Sequence, residues 1–311
     1  MTDAHKIALT WKIHDTLRKE GFDVYGIAPA AAHHEDREHI GQWIEAGRNG
    51  TMQFMERNLH KRGDITTLVA GAKSVIVAGL RYYNNDVPEE NDNYFVSRYA
   101  RVKDYHMVME EKLNRVIKII KKELPGTECR AFCDSAPVTE KSWAIRAGLG
   151  WRGRNSLVIN KDIGSFFFLG EIVTTAELLF DNASSRDRCG ECTLCIDACP
   201  TGAICGDRTI DARRCISYLT VEYEGQIPDE FRGKTERIIF GCDRCQEVCP
   251  WNKKAAHFTD TELIPENDLM RLRRSDWLSM TPEDFKKYFK TSPIRRSGHK
   301  MIKRNIDFIN S

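Results

Sequence analysis

The chain has 311 residues, 41% of them hydrophobic, with 47 Lys and Arg against 45 Asp and Glu and a formal net charge of +2. That is enough apolar material for one large domain or two moderate ones, and the balance excludes a disordered polyelectrolyte or a polycation throughout. The start, MTDAHKIALTWKIHDTLRKEG, holds acidic residues and no continuous apolar core, and no stretch approaches a membrane span, so a soluble, cytoplasmic protein with no membrane partner is expected.

Residues 6–20 carry Ile7, Trp11, Ile13 and Leu17 near helical spacing and stop at Gly21, as a helix with a glycine terminus should. FDVYGIA at 22–28 predicts a strand, a helix follows around 36–47, and GRNGTMQFMERN at 47–58 is a turn region. SVIVAGLRYY at 74–83 is a buried-strand candidate. Residues 104–123 predict a long amphipathic helix with Met107, Leu113, Val116, Ile119 and Ile120 on its apolar side. ECRAFCD at 128–134 is a strand that ends on an acid, and APVTEKSWAIRAGLGWRGRNSLVI reads as a helix closed by Gly148 and Gly150, then another strand. GSFFFLGEIVTTAEL at 164–178 is an apolar β segment with a kink expected at Gly170. Alternating strands and helices predict a layered α/β domain over 1–183, within a chain that is α+β overall.

The polar run DNASSRDR at 181–188 marks the boundary to a second module, 184–258, in which eight of the eleven cysteines form two half-motifs. The first is Cys189-x2-Cys192-x2-Cys195-x3-Cys199-Pro200, the bacterial ferredoxin spacing, in which three thiolates hold one cubane cluster and the fourth crosses to the other. Cys242-x2-Cys245-x3-Cys249-Pro250 keeps the last three positions of the same pattern, and Cys215 replaces the missing first one. Cys189, Cys192, Cys195 and Cys249 are therefore assigned to one 4Fe-4S cluster, and Cys199, Cys215, Cys242 and Cys245 to the other. A zinc ribbon would show paired CxxC knuckles instead, and nothing else marks a secreted disulfide framework. Cys129, Cys133 and Cys205 remain, each expected to be a small buried hydrophobe.

Beyond Trp251 the chain turns helical again, and Thr281-Pro282-Glu283-Asp284 combines a capping hydroxyl, a first-position proline and first-turn acids. The segment 259–311 is basic: Arg271, Arg273, Arg274, Lys286, Lys287, Lys290, Arg295, Arg296, Lys300, Lys303 and Arg304 stand against Asp276, Glu283 and Asp284 over 271–304. A solvated helix face is the usual meaning of such a run, and a phosphate-binding surface is the sharper one.

Outside the clusters, CDSAPVTEKSWAIRAGLGWRGRNSLVIN, CISYLTVE and FGCDRCQEVCPWN together resemble epoxyqueuosine reductases, as do GTMQFMERN, RYARVKDYH and SPIRRSGHKMIKRNI in the same order from about residue 20 to about 305. The resemblance implies reduction of the epoxide of epoxyqueuosine to the cyclopentene of queuosine at the tRNA wobble position. It implies cobalamin and two 4Fe-4S clusters as cofactors, tRNA carrying epoxyqueuosine as substrate, and a low-potential electron donor. The first domain is then similar to those of cobalamin-processing proteins and reductive dehalogenases, joined to a ferredoxin-like module and a helical tail. Carried over residue by residue, the proton donor falls on Asp134, itself also a cofactor contact. The other cobalamin contacts fall on Arg57, Ser97, Lys141, Asn155, Ser156, Ser217 and Asp243. Val102 stands where the family usually has glycine, and a chain that stops at Ser311 is expected to be a short form without the helical-repeat extension of many members.

Converting an epoxide to an alkene takes two electrons and two protons and releases water. No side chain supplies the electrons, so reduced cobalt fed by the clusters is the expected route. Asp134 as acid requires a raised pKa, which burial against the corrin and beside Phe132 would favour; the plain alternative is a helix cap ahead of Pro137. His106, the imidazole nearest these segments, has no ligand spacing, and cobalamin is expected to bind without an axial protein histidine. Two competing functions carry the same cysteines: another cobalamin-dependent reductase such as a dehalogenase, and a simple electron carrier. A lack of tRNA binding would favour the first. About 180 residues ahead of the clusters argue against the second.

Overall fold

The structure, a computed structural model, describes residues 2–85, 93–183 and 186–311. Part of the polar boundary, including the expected module start at 184, lies outside the described residues. Helix α1 (Asp3–Lys19) begins where the Thr2 hydroxyl accepts from the His5 amide at 3.3 Å. It ends as expected at Gly21, whose φ of 84° lets the Phe22 amide turn back onto the Leu17 carbonyl at 3.1 Å. Then come β1 (Val24–Pro29), α2 (His34–Glu45), β2 (Ser74–Arg81), α3 (Tyr105–Glu123), β3 (Cys129–Phe132), α4 (Glu140–Arg146) and β4 (Phe167–Thr174).

The four strands form one sheet in the order β1-β2-β4-β3, and every neighbouring pair is antiparallel. Both faces are covered, which is why β2 reads as a nearly unbroken apolar run rather than an alternating one. Ile76, Ala78, Leu80 and Ile172 face α1 and α3, meeting Leu9, Ile13, Leu17, Met109, Leu113 and Val116. Val75, Val77 and Val173 face the other way, onto Trp143, Ala144 and Ala147 around α4. Each fully buried Val, Leu, Ile or Met among them contributes about 1.5–3 kcal/mol of transfer free energy.

Gly170 does not kink β4. Its strand pairs with β2 without a break from Ser74↔Thr174 to Arg81↔Phe167. A Cβ at Gly170 would stand 2.8 Å from Met109 Cε and 2.9 Å from Leu113 Cδ1, so the glycine lets α3 lie close on the sheet. Val102 is buried in the same core.

The cysteine-rich region carries two matching helical turns, Leu194–Asp197 and Arg244–Glu247, which pack on each other. Between them lie α5 (Ile216–Val221) and β5 (Ile238–Phe240). The β5 strand pairs in parallel with Phe95–Val96, stitching this region to the first. The last helix, α6 (Gly298–Asn310), places Ile302 and Ile306 in a cluster with Tyr94 and Phe240. Lys112 on α3, 3% exposed, ties in the following segment through Asp260 at 2.7 Å and Glu262 at 3.2 Å. Among the described residues no helix is long and apolar enough to cross a membrane.

Two expectations about single residues are corrected. Cys205 is exposed, whereas Cys133 is buried and Cys129 half-buried. Arg304 is no solvated charge: its guanidinium donates to the carbonyls of Gly225 at 2.6 Å, Leu219 at 2.7 Å and Tyr223, closing the C-terminal end of α5.

Candidate active site

Three adjoining cavities of about 750, 550 and 200 Å³ meet at Asp134 and Lys141, which border all three. The largest is built from every part of the chain: Trp43 from α2, Tyr105 and His106 from the start of α3, Cys215 and Ser217 around α5, Phe240 from β5, and Arg295 and Arg296 from the tail. Its apolar walls surround a few converging charged groups, the arrangement of a ligand pocket.

Asp134 sits just beyond β3 in a tight turn with φ 57°, a left-handed conformation that an L residue adopts at a cost, aspartate less than most. It does not cap α4; Thr139 stands at that position. Instead its Oδ2 accepts from the Tyr105 hydroxyl at 2.6 Å and lies 3.4 Å from His106 Nε2. The other ring nitrogen, Nδ1, is 2.8 Å from Asp104 Oδ1, and the same carboxylate accepts the His106 backbone N–H. The neighbouring side chains by themselves do not raise Asp134. The bond to His106 is the largest influence and, with the Tyr105 bond and the charge of Arg296, outweighs burial to bring Asp134 down to about 2. Burial opposes the imidazolium, but Asp104 and Asp134 raise His106 to about 9. These influences favour the carboxylate on the half-exposed aspartate and the imidazolium on the histidine.

Two further acids were not singled out in the sequence. Glu140 Oε1 accepts the Asp134 backbone N–H, and burial, joined by the charge of Asp134, raises it to about 7. Glu171 is fully buried in β4 with both carboxyl oxygens lacking a hydrogen-bond partner, and burial pushes it well above the ordinary carboxylate range. Burial draws the Lys141 ammonium down, and Arg152 adds to this. In sequence the only mark of Glu140 is its place in VTEK, and that of Glu171 is a lone acid inside an apolar strand.

The remaining candidates divide. Lys141, Ser156 and Ser217 line the cleft, Ser156 with φ 63°. Ser97 and Asp243 are brought together behind it: the Ser97 hydroxyl donates to Asp243 Oδ1 at 2.5 Å, while Arg98 donates to Oδ2. Asn155 is buried, its amide nitrogen 3.5 Å from the Cys245 carbonyl. Arg57 is exposed and borders none of the three cavities.

A separate cavity of about 240 Å³ is lined by Cys189, Cys192, Cys195 and Cys249 together with Trp251 and Arg154. The other four cysteines influence one another: burial pushes Cys242 up to about 12, with Cys215 and Cys199 adding to it, and Cys245 is raised by burial and then by Cys215 and Cys242. Such thiols become thiolates when a metal binds them. The Trp151 indole N–H points to Cys189 Sγ at 3.5 Å and the Ala203 amide to Cys199 Sγ at 3.3 Å, donors of the kind that tune cluster potentials.

Residues 188–252 match a family described as a 4Fe-4S double cluster binding domain, and residues 62–135 match one described as epoxyqueuosine reductase QueG, DUF1730. An epoxyqueuosine reductase of Cyclobacterium marinum is 44% identical over 298 residues, covering 96% of this chain and 95% of that protein. The fold superposes with a TM-score of 0.90 on an epoxyqueuosine reductase crystallised with a tRNA-Tyr epoxyqueuosine-modified tRNA stem loop, at 29% identity over 97% of this chain and 80% of the other. A Bacillus subtilis epoxyqueuosine reductase, solved with its catalytic aspartate loop swung out of the active site, gives a TM-score of 0.89 at 29% identity, covering 97% and 81%. With the double-cluster cysteines and the cleft residues carried on one continuous match, the chain belongs to the epoxyqueuosine reductase family.

Proposed function

We propose that this protein reduces the epoxide of epoxyqueuosine in the tRNA anticodon wobble position, giving the cyclopentene of queuosine and water. The observation that carries this reading is one cleft bordered by an aspartate, by Cys215 of the second cysteine set and by Arg295 and Arg296 of the basic tail. Acid, electron route and phosphate-attracting charge converge there.

The two 4Fe-4S clusters take Cys189, Cys192, Cys195 and Cys249, and Cys199, Cys215, Cys242 and Cys245. A low-potential donor reduces them. The cleft is where cobalamin would lie: the two larger cavities, about 750 and 550 Å³, share Trp43, Ile210, Asp134 and Lys141 and together exceed the roughly 300–1,000 Å³ of a drug-sized ligand pocket, as a larger cofactor requires. When bound, it supplies the low-valent cobalt nucleophile that no side chain can replace. Lys141, Ser156 and Ser217 hold it from the walls. Ser97 and Asp243 brace the second cysteine loop from behind, and Asn155 does so through the Cys245 carbonyl. Arg57, which borders none of the three cavities, would contact the cofactor only if part of it lay outside them. Asp134 is the side chain through which the reacting oxygen would receive its proton.

Anaerobic protein reconstituted with clusters and cobalamin, given a reductant and epoxyqueuosine-containing tRNA, is expected to yield queuosine on nucleoside mass analysis. Unchanged epoxyqueuosine from fully loaded protein would overturn the reading.

The tail supplies the RNA contact through Arg295 and Arg296, which flank the cleft in a turn started by Ser292 and Pro293. Arg296 is paired with Glu222, and phosphate would compete for it. Replacing both arginines with alanine should weaken tRNA binding and flatten its salt dependence by roughly 0.7–0.9 in log–log slope per lost phosphate contact. Binding measured across salt concentrations checks this, and an unchanged slope returns the segment to an ordinary solvated face.

A further inference from the structure

We propose that the acid of this reaction is a pair, in which His106, held by Asp104, carries the proton and Asp134 relays it to the opened epoxide oxygen. The inference rests on the reductase reading above. Epoxide plus two electrons plus two protons gives alkene plus water, and both protons end on the same oxygen. Asp134 Oδ2 accepts from the Tyr105 hydroxyl and faces His106 Nε2, which places the imidazole where it can resupply any proton that Asp134 gives up.

The geometry of His106 suits a proton store. Its Nδ1 is fixed by Asp104 at the start of α3, which leaves Nε2 aimed at Asp134 from the end of β3. Tyr105 stacks on the imidazole at 4.1 Å and on Phe168 at 4.2 Å, holding the ring plane. The charged groups around it are Asp104, Asp134 and, further off, Glu140, with Arg296 the opposing cation near both aspartates. The carboxylates outnumber the guanidinium and favour the imidazolium, in keeping with a value near 9. In the step itself an O–H bond forms at the opened epoxide oxygen through Asp134 Oδ2, and the N–H bond at Nε2 breaks, leaving neutral imidazole. Electrons come from the clusters, not from the pair. With its side chain 33% exposed, the ring can be reprotonated from solvent for the second proton.

The test follows the loaded enzyme across pH, with iron content and cobalamin absorbance checked for each variant. The parent rate should fall on an alkaline limb near 9. His106→Gln, which cannot carry the proton, should lose about 10²- to 10⁴-fold in kcat and the limb with it. Asp104→Asn should move the limb down toward the ordinary histidine value of about 6.5, a shift that a structural role would not produce. The ring resonances of His106 in the unaltered protein should titrate near 9, independently of activity. A midpoint near the ordinary value, an unshifted limb in Asp104→Asn, or a His106→Gln enzyme with parental rate and limb would each sink the pair. A parent that converts no epoxyqueuosine while His106 still titrates near 9 would sink the reductase reading instead.

Discussion

Asp134→Asn is expected to lower turnover by about 10²- to 10⁴-fold, the usual cost of a positioned proton donor, while fold, iron content and cobalamin binding persist. Asparagine shares with aspartate a tolerance for the left-handed backbone that Asp134 occupies at φ 57°. Its carbonyl oxygen can still accept from Tyr105, and the backbone N–H to Glu140 is untouched. What disappears is the negative charge. His106 loses one of the two carboxylates that raise it, so its pKa should fall; Glu140, raised by burial and then by the charge of Asp134, should fall as well. An alkaline limb that moves to lower pH along with the lost rate would identify the charge, not the shape, as what Asp134 supplies. Single-turnover rates across pH measure both. A variant that reduces epoxyqueuosine at close to the parental rate would remove Asp134 from the proton path.

The sign of that pKa is where reading the sequence met its limit. Burial beside Phe132 is visible in the chain and argues for a raised aspartate. The stronger influence is His106, brought from the start of α3 to a residue at the end of β3 only by the packing of that helix on the sheet. Arg304 shows the same gap: eleven cations in a tail suggest a solvated face, but this one lies where α5 exposes its last carbonyls, a fact of tertiary placement. Gly170 was noticed for the right residue and the wrong reason, since a glycine in a strand marks either a bend or a close neighbour and only Met109 and Leu113 decide which. By contrast, β2 and most of α3 were legible because their periodicity reflects burial directly, on both faces for the strand and on one for the helix, although Met107, expected on the apolar side, is 46% exposed. The cysteines were legible because ligand spacing is a local property of the chain.

Cys199→Ala is expected to destroy the cluster of Cys215, Cys242 and Cys245 rather than that of its sequence neighbours, so iron should fall from about eight to about four per chain and turnover should vanish. Cys199 follows the helical turn Leu194–Asp197, while the matching turn Arg244–Glu247 delivers Cys249 to the cavity that holds Cys189, Cys192 and Cys195. The two turns pack against each other, the arrangement that a crossed fourth ligand in each set requires. Cys215 and Cys242 both include Cys199 among the groups that raise them. Of these four cysteines Cys215 borders the cleft, so the cluster lost with Cys199 is the one expected to deliver electrons to the reaction. An enzyme left with the cluster of Cys189, Cys192, Cys195 and Cys249 alone should still accept electrons and fail to use them. Iron analysis together with low-temperature electron paramagnetic resonance of the reduced variant separates the outcomes: a single remaining signal that is abolished by a further Cys192→Ala substitution supports the crossed assignment. A remaining signal that instead requires Cys242 would show that each half-motif keeps its own cluster.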